Sequence, residues 1–123
     1  MPLMTRDPHD LLPLAPAMFQ ILVAVADQDR HGYAIMQDVA SRTNGALKLS
    51  PGTLYGSIKR MLEEGLIVEL TDRQRPGEDD ERRRYYRMTP FGRSVAQVEA
   101  TRLATLLRQA KAVGLAPSRA LLR

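Results

Sequence analysis

The 123-residue chain contains no cysteine. That excludes a disulfide scaffold and thiolate chemistry, and makes a reducing cytoplasm the expected compartment. Histidine is nearly absent too, with only His9 and His31. The pairs His9-Asp10 and Asp29-x-His31 lack matched ligand spacing, so no metal and no cofactor is expected. A Gly-rich phosphate loop, an HExxH pair and a nucleophile elbow are all missing, and no constellation of acid, base and nucleophile points to an enzyme. The longest apolar run, Leu14–Val25 interrupted by Gln20, is too short to span a bilayer, and no signal-peptide pattern is found.

What remains is an ordinary hydrophobic content of 44% and a net charge of +4, the make-up of one soluble domain that favours an anionic partner. The most informative stretch is Ser50–Gly65, SPGTLYGSIKRMLEEG. Ser50 can cap a helix, Pro51 suits the first helical position, and Gly65 suits the left-handed residue that closes one. Leu54, Ile58, Met61 and Leu62 fall on one helical face. The opposite face carries Gly52, Gly56, Lys59 and Arg60, flanked by Thr53, Tyr55 and Ser57. A helix interior usually avoids glycine, at about 1 kcal/mol against alanine. A bare, basic face fits close approach by the backbone and groove of DNA; a solvated back of an ordinary amphipathic helix is the competing reading.

The rest of the chain supplies a frame. Residues 1–13 hold three prolines and no period, and read as a frayed or loosely docked arm. Leu14–Ala26 reads as a buried helix with Phe19, Leu22, Val23 and Ala26 as its central stripe. His31–Thr43 is a second helix with Ile35, Met36, Val39 and Ala40 inward, ended by Asn44-Gly45. Tyr33, in its first turn, is either a core-edge aromatic or a phosphate donor; Lys48, just before the central helix, meets phosphate or solvent. Leu66–Thr71 alternates as a strand, with Leu66, Val68 and Leu70 on one side. A polar turn over Asp72–Glu81 leads to a second strand, Arg82–Met88. Six arginines between Arg73 and Arg87 suit a hairpin reaching for phosphates, with the acids at its tip turned away; a charged, solvated hairpin, nearly neutralised by Asp72, Glu78, Asp79, Asp80 and Glu81, is the competing reading. Thr89-Pro90 repeats the cap-and-proline device and starts a helix to Val113, roughly 24 residues or about 36 Å long. Its stripe includes Val95, Val98, Leu103, Leu106, Leu107, Ala110 and Val113, and outreaches a small domain, which favours a second copy of the same helix over a helix folded back on its own core.

The order helix, helix, helix, strand, strand, helix describes a mainly α chain with a small β-hairpin. This is a winged helix-turn-helix over residues 14–88 with a C-terminal dimerisation helix and tail over 89–123. HGYAI at 31–35, LSPGTLYGSIKRM at 49–61, EEGLI at 63–67 and ERRRYYRMTPFG at 81–92 resemble the PadR family of bacterial transcription regulators, in the subclass with a single C-terminal helix. The resemblance implies a homodimeric repressor on a roughly palindromic, double-stranded DNA operator. Carried over position by position, it implies contacts from Tyr33, Lys48, Ser50, Gly52, Thr53, Tyr55, Ser57 and Lys59, with Arg82, Arg83 and Arg84 from the wing. Some members respond to small aromatic molecules near the dimer interface. Here there is no Trp to stack on such an effector, and no aromatic after Phe91 in the long helix. The alternative function is a winged-helix module that binds another protein, for which the acidic wing tip would suit a basic partner.

Overall fold

Capping decides where the helices begin and end. The computed structural model describes residues 6–70, 84–115 and 117. Within them lie α1 (Pro16–Ala24), β1 (Arg30–His31), α2 (Gly32–Arg42), α3 (Pro51–Glu63), β2 (Ile67–Glu69), β3 (Tyr85–Met88) and α4 (Pro90–Ala112). Ser50 Oγ accepts the Thr53 amide at 3.1 Å, and Thr89 Oγ1 accepts the Gly92 amide at 2.9 Å, each with proline in the next position. Gly65 closes α3 at φ 78°. The Gly65 and Leu66 amides then return to the carbonyls of Leu62 and Met61 at 3.2 and 2.9 Å, the bond pair that a left-handed residue allows.

The expected order of elements is present, with one addition. The sheet has three antiparallel strands in the order β1-β3-β2. Arg30 and His31 pair with Tyr86 and Tyr85, while Ile67, Val68 and Glu69 pair with Met88, Arg87 and Tyr86. Spacing alone leaves Arg30 between two helices and His31 at the start of the second, because a two-residue strand carries no period to detect. His31 serves both elements. It pairs in β1, and its Nδ1 accepts the Ala34 amide at 3.2 Å to cap α2.

Packing corrects several faces. The first helix starts at Pro16 rather than Leu14, and Met18, Ile21 and Leu22 are buried in it while Val23, expected in the central stripe, is exposed. An almost uniformly apolar helix has no unique face of its own; α2, α3 and α4 all pack against α1 and choose it. The expected alternation of Leu66–Thr71 also shifts. Leu66 and Ile67 are both buried and Val68 is exposed, because Leu66 belongs to the turn closing α3 and not to the strand. Thr71, the turn at 72–81, and Arg82 and Arg83 lie outside the described residues.

The arm is docked from Arg6 onward, where a frayed or loosely docked segment was expected. Arg6 pairs with Glu64, and its guanidinium lies 4.9 Å from the centre of the Phe91 ring. A 3-10 turn at Pro8–Leu11 packs along α4, and Leu11 and Leu12 border the core. Nearby, the buried Glu99 holds Arg102 through bonds of 2.6 and 2.9 Å and accepts the Leu14 amide at 3.2 Å.

The start of α4 is pressed onto the end of α3. The Thr89 amide donates to the Leu66 carbonyl at 3.1 Å and Thr89 Oγ1 donates to the Gly65 carbonyl at 2.6 Å. A Cβ on Gly92 would lie 2.0 Å from the Leu66 carbonyl oxygen, so only glycine fits there without backbone movement. Gly92→Ala should lower the unfolding free energy by at least about 2 kcal/mol, the scale of an overpacked core; an unchanged urea midpoint would show that the junction yields freely.

Glu99 adds a pH signature. Its carboxyl is held below the ordinary value of 4.5, first by the Arg102 hydrogen bond, against the opposing effect of burial, with the Leu14 amide assisting. A depressed carboxyl contributes stability in full above its unfolded value and loses it as pH falls through the folded value. Glu99→Gln should therefore flatten the acid limb of the Tm-against-pH curve below pH 4.5, besides lowering Tm at neutral pH by stranding Arg102. An acid limb as steep as that of the parent would discount the pair.

Candidate nucleic-acid interface

The apolar residues of α3 are spent on the core. Leu54, Ile58 and Met61 are at most 2% exposed, and this fixes which side of the helix faces out. Gly52, Thr53, Gly56, Lys59 and Arg60 are exposed on that side, with Ser57 half-buried at its edge. A Cβ on Gly52 or Gly56 would meet nothing within 4 Å. No contact inside the protomer requires either glycine, so the usual helix cost of about 1 kcal/mol at the mid-helix Gly56 is not offset within the chain.

The other predicted residues are gathered around this face to different degrees. Ser50 is exposed, but its hydroxyl is engaged as the cap and also donates to Thr53 Oγ1 at 3.1 Å. Tyr33 is 60% exposed and lies outside the buried core, a position that fits either of its two readings. Tyr33 and Lys48 meet at one shallow cleft of about 260 Å³ floored by Met36, Ala40 and Leu49. Tyr55 is half exposed, and its hydroxyl end turns back toward Gly32 at the start of α2. Arg84, at the wing base, is exposed and 3.6 Å from Glu69. The other two wing candidates, Arg82 and Arg83, fall on residues that are not described. Arg87 is committed elsewhere: it grips Asp29 in a two-bond fork at 3.0 and 2.9 Å, tying β3 to the turn after α1.

Arg60 was placed on the exposed face by its spacing but left out of the expected contacts. It continues the line of Gly52 and Gly56 at steps of four residues. Among the described residues it is the arginine whose side chain has no hydrogen-bond or ion-pair partner. Arg6, Arg30, Arg42, Arg84, Arg87, Arg93, Arg102 and Arg108 each have one. The sequence carries no signal for this, since Glu63 and Glu64 stand three and four residues after Arg60, and only the structure shows Glu64 taken by Arg6.

On α4 the predicted stripe divides in two. Val95 is fully buried in the protomer's own core and is not available to a second copy, while Val98 and Ala110 are half-buried. Leu103, Leu106, Leu107 and Val113 stay exposed, at 40 to 73%. Beside them Phe19, Leu22, Val23, Met88, Ala96 and Ala100 line an apolar cleft of about 220 Å³. Among the described residues there is no cluster of three or more potential metal ligands, and no helix is long and apolar enough to cross a membrane.

This architecture has relatives. A model described as the Transcriptional regulator PadR-like family matches residues 21–98. Transcriptional regulator Rv3488 of Mycobacterium tuberculosis is 32% identical over 95 residues, which is 77% of this chain and 82% of that protein. An uncharacterised protein X of Lysinibacillus sphaericus is 34% identical over 74 residues, 60% of this chain, and the match spans 65% of that protein's length. A PadR family transcription regulator from hypervirulent Clostridium difficile superposes with a TM-score of 0.66 at 23% identity, covering 80% of this chain and 98% of the other. Bacillus subtilis PadR, solved in complex with operator DNA, superposes with a TM-score of 0.57 at 18% identity, covering 74% of this chain and 48% of the other. The two structures speak for the fold, and the family match covers well over half of the sequence. The chain belongs to the PadR-like family of transcriptional regulators.

Proposed function

We propose that the protein is a homodimeric repressor that reads a roughly palindromic operator with α3 in the major groove and the wing on the flanking backbone. The observation that carries this reading is the uncovered glycine face of α3. Gly56 weakens the helix without serving any contact in the protomer, so its use lies with a partner that must come within a side chain's breadth of the backbone. Lys59 and Arg60 lie on that face, while Lys48, two residues before the Ser50 cap, and Arg84, with Arg82 and Arg83 adjoining in sequence, add positive charge that suits phosphates. Thr53, Ser57 and Lys59 are placed for base edges, and Tyr33 and Ser50 for the backbone. The operator complex of Bacillus subtilis PadR supports DNA as the partner over a second protein.

A second copy is the occupant we assign to the apolar surface of α4. Ala96, Ala100, Leu103 and Leu107 follow one another at steps of four and three, so the cleft beside α1 runs on into the exposed leucines. Small residues at one end allow close approach of a helix, and larger ones at the other provide area to bury. Two α3 helices related by that axis would reach successive major grooves about 34–36 Å apart. The mechanism is steric: an occupied operator excludes other proteins from the same DNA.

The glycine face gives a test with two signs. Gly56→Ala should stabilise the free protein by up to about 1 kcal/mol while weakening operator binding tenfold or more, about 1.4 kcal/mol. Anisotropy titrations against DNA upstream of its own gene should also lose about three to five decades of affinity between 50 and 200 mM salt, for six to ten phosphate contacts. Unaltered DNA affinity in the stabilised variant, or a flat salt response, would sink the reading. If instead Lys59→Glu and Arg84→Glu leave activity intact, the protein-binding alternative takes over.

Dimerisation has its own check. Leu106→Glu should convert the protein to a monomer in sedimentation equilibrium, with the melting of the winged domain largely kept. A dimer that survives the substitution would place the interface elsewhere.

A further inference from the structure

Tyr55 occupies the middle of α3, where the family resemblance implies a DNA contact, yet its side chain points back into the protein. A Cβ on Gly32 would lie 2.5 Å from Tyr55 Oη and 3.0 and 3.1 Å from two carbons of the ring. The far end of the ring therefore rests on bare backbone at the first residue of α2. Tyr86, in the middle of β3, is 3% exposed. Tyr86 lies between Arg30 of β1 and Glu69 of β2 in the sheet register. Burial raises the Tyr86 hydroxyl's pKa first, with Glu69 and then Tyr55 adding to it against Arg84, which places the two tyrosines within electrostatic reach. One ring thus ties α3 to the start of α2, directly after β1, which in turn pairs with the wing strand β3.

We propose that Tyr55 is a positioning residue that sets the angle between α3 and the wing by bearing on Gly32, the residue that joins β1 to α2, and that it is not a reader of bases. The proposal rests on the DNA-binding function above. A tyrosine suits the task because its reach is long and only two side-chain torsions need fixing. Gly32 suits it because any side chain would take the space of the hydroxyl. Glycine at 32 and tyrosine at 55 thus form one device, with each residue explained by the other.

The pairing makes the inference separable from base reading. Gly32→Ala leaves the Tyr55 side chain chemically intact but displaces it, whereas Tyr55→Phe removes the hydroxyl and keeps the ring in place. Operator and scrambled-sequence affinities should be measured for the parent, Gly32→Ala, Tyr55→Phe, Tyr55→Ala and the Gly32→Ala/Tyr55→Ala double variant at one salt concentration. We expect Gly32→Ala and Tyr55→Ala each to cut the operator-to-scrambled ratio about tenfold, Tyr55→Phe to hold it within about threefold, and the double variant to be no worse than Tyr55→Ala alone, the non-additivity of residues in contact. The reverse pattern, with Tyr55→Phe losing discrimination and Gly32→Ala keeping it, would overturn the proposal, as would additive losses.

A second measurement needs no DNA. The chain has no cysteine, so spin labels at Lys59→Cys and Val68→Cys report the α3-to-wing distance directly. Gly32→Ala should shift or broaden that distance, and an unchanged distribution would reject the positioning role even if operator binding is secure. A parent protein that never distinguishes operator from scrambled DNA, but whose label distance responds to Gly32→Ala, would reject the DNA-binding function and leave the contact itself standing.

Discussion

The rest of the molecule depends on one close contact, the seat of Gly92 on the carbonyl of Leu66. Leu66 is spoken for from several sides at once. Its amide closes α3, its carbonyl receives the Thr89 amide, and its side chain is fully buried. A chain that leaves a helix at a left-handed glycine has its direction fixed within two residues. By setting the start of α4 against that exit, the fold converts a local closing motif into the relative orientation of two helices. Arg6 reinforces the same corner from outside, reaching Glu64 at the end of α3 and Phe91 at the start of α4. The arm, which has no period and no evident purpose in the sequence, is in this sense a brace.

Much of this was legible because it is written in residue types with few other uses. Ser50-Pro51, Thr89-Pro90 and Gly65 gave helix ends to within a residue, since caps and left-handed glycines act locally. The buried face of α3 followed from spacing for the same reason. What could not be read were choices made by packing. The apolar α1 offered several equivalent faces, and Val23 went outward while Met18 and Ile21 went in. Strand β1 was too short to show a pattern. Val95 carried the same apolar signature as Leu106, and only the reach of the small domain along α4 separated the residue that stays in the core from the one left bare. Among the candidate site residues, Lys59, Gly52 and Gly56 were placed correctly on the open face, whereas the inward turn of Tyr55 depended on Gly32, more than twenty residues away in sequence. The pairing of Glu99 with Arg102 and the arm was likewise invisible, because a carboxylate in a helical stripe looks solvated until something covers it.

The distribution of arginines shows how a basic chain keeps its charge from being merely diffuse. Arg30 and Arg42 converge on Asp38, Arg87 grips Asp29, and Arg102 is held by Glu99. Each pair spends a positive charge on architecture. Apart from the buried Glu99, pairs near the surface add little stability individually, but they also remove competing sites for an anion. Among the described residues Lys48, Lys59 and Arg60 stand outside these ion pairs, as do Arg93 and Arg108 on α4, which bond only the neutral oxygens of Ala26 and Thr105.

The 23 residues of α4 make a rod about 35 Å long at the usual rise, and its fulcrum is the Gly92–Leu66 contact. A rod held at one end is a lever. Tilting it by about 10° would sweep its tip through about 6 Å, more than one helical turn, while the atoms at the fulcrum barely move. In the proposed dimer the tips are joined and the α3 helices are the free ends, so the arithmetic runs in reverse as well. Small adjustments where the two rods meet would be magnified into the spacing between the DNA-facing surfaces. The tightness of the fulcrum is what would let such a displacement pass through the protein and not be absorbed within it.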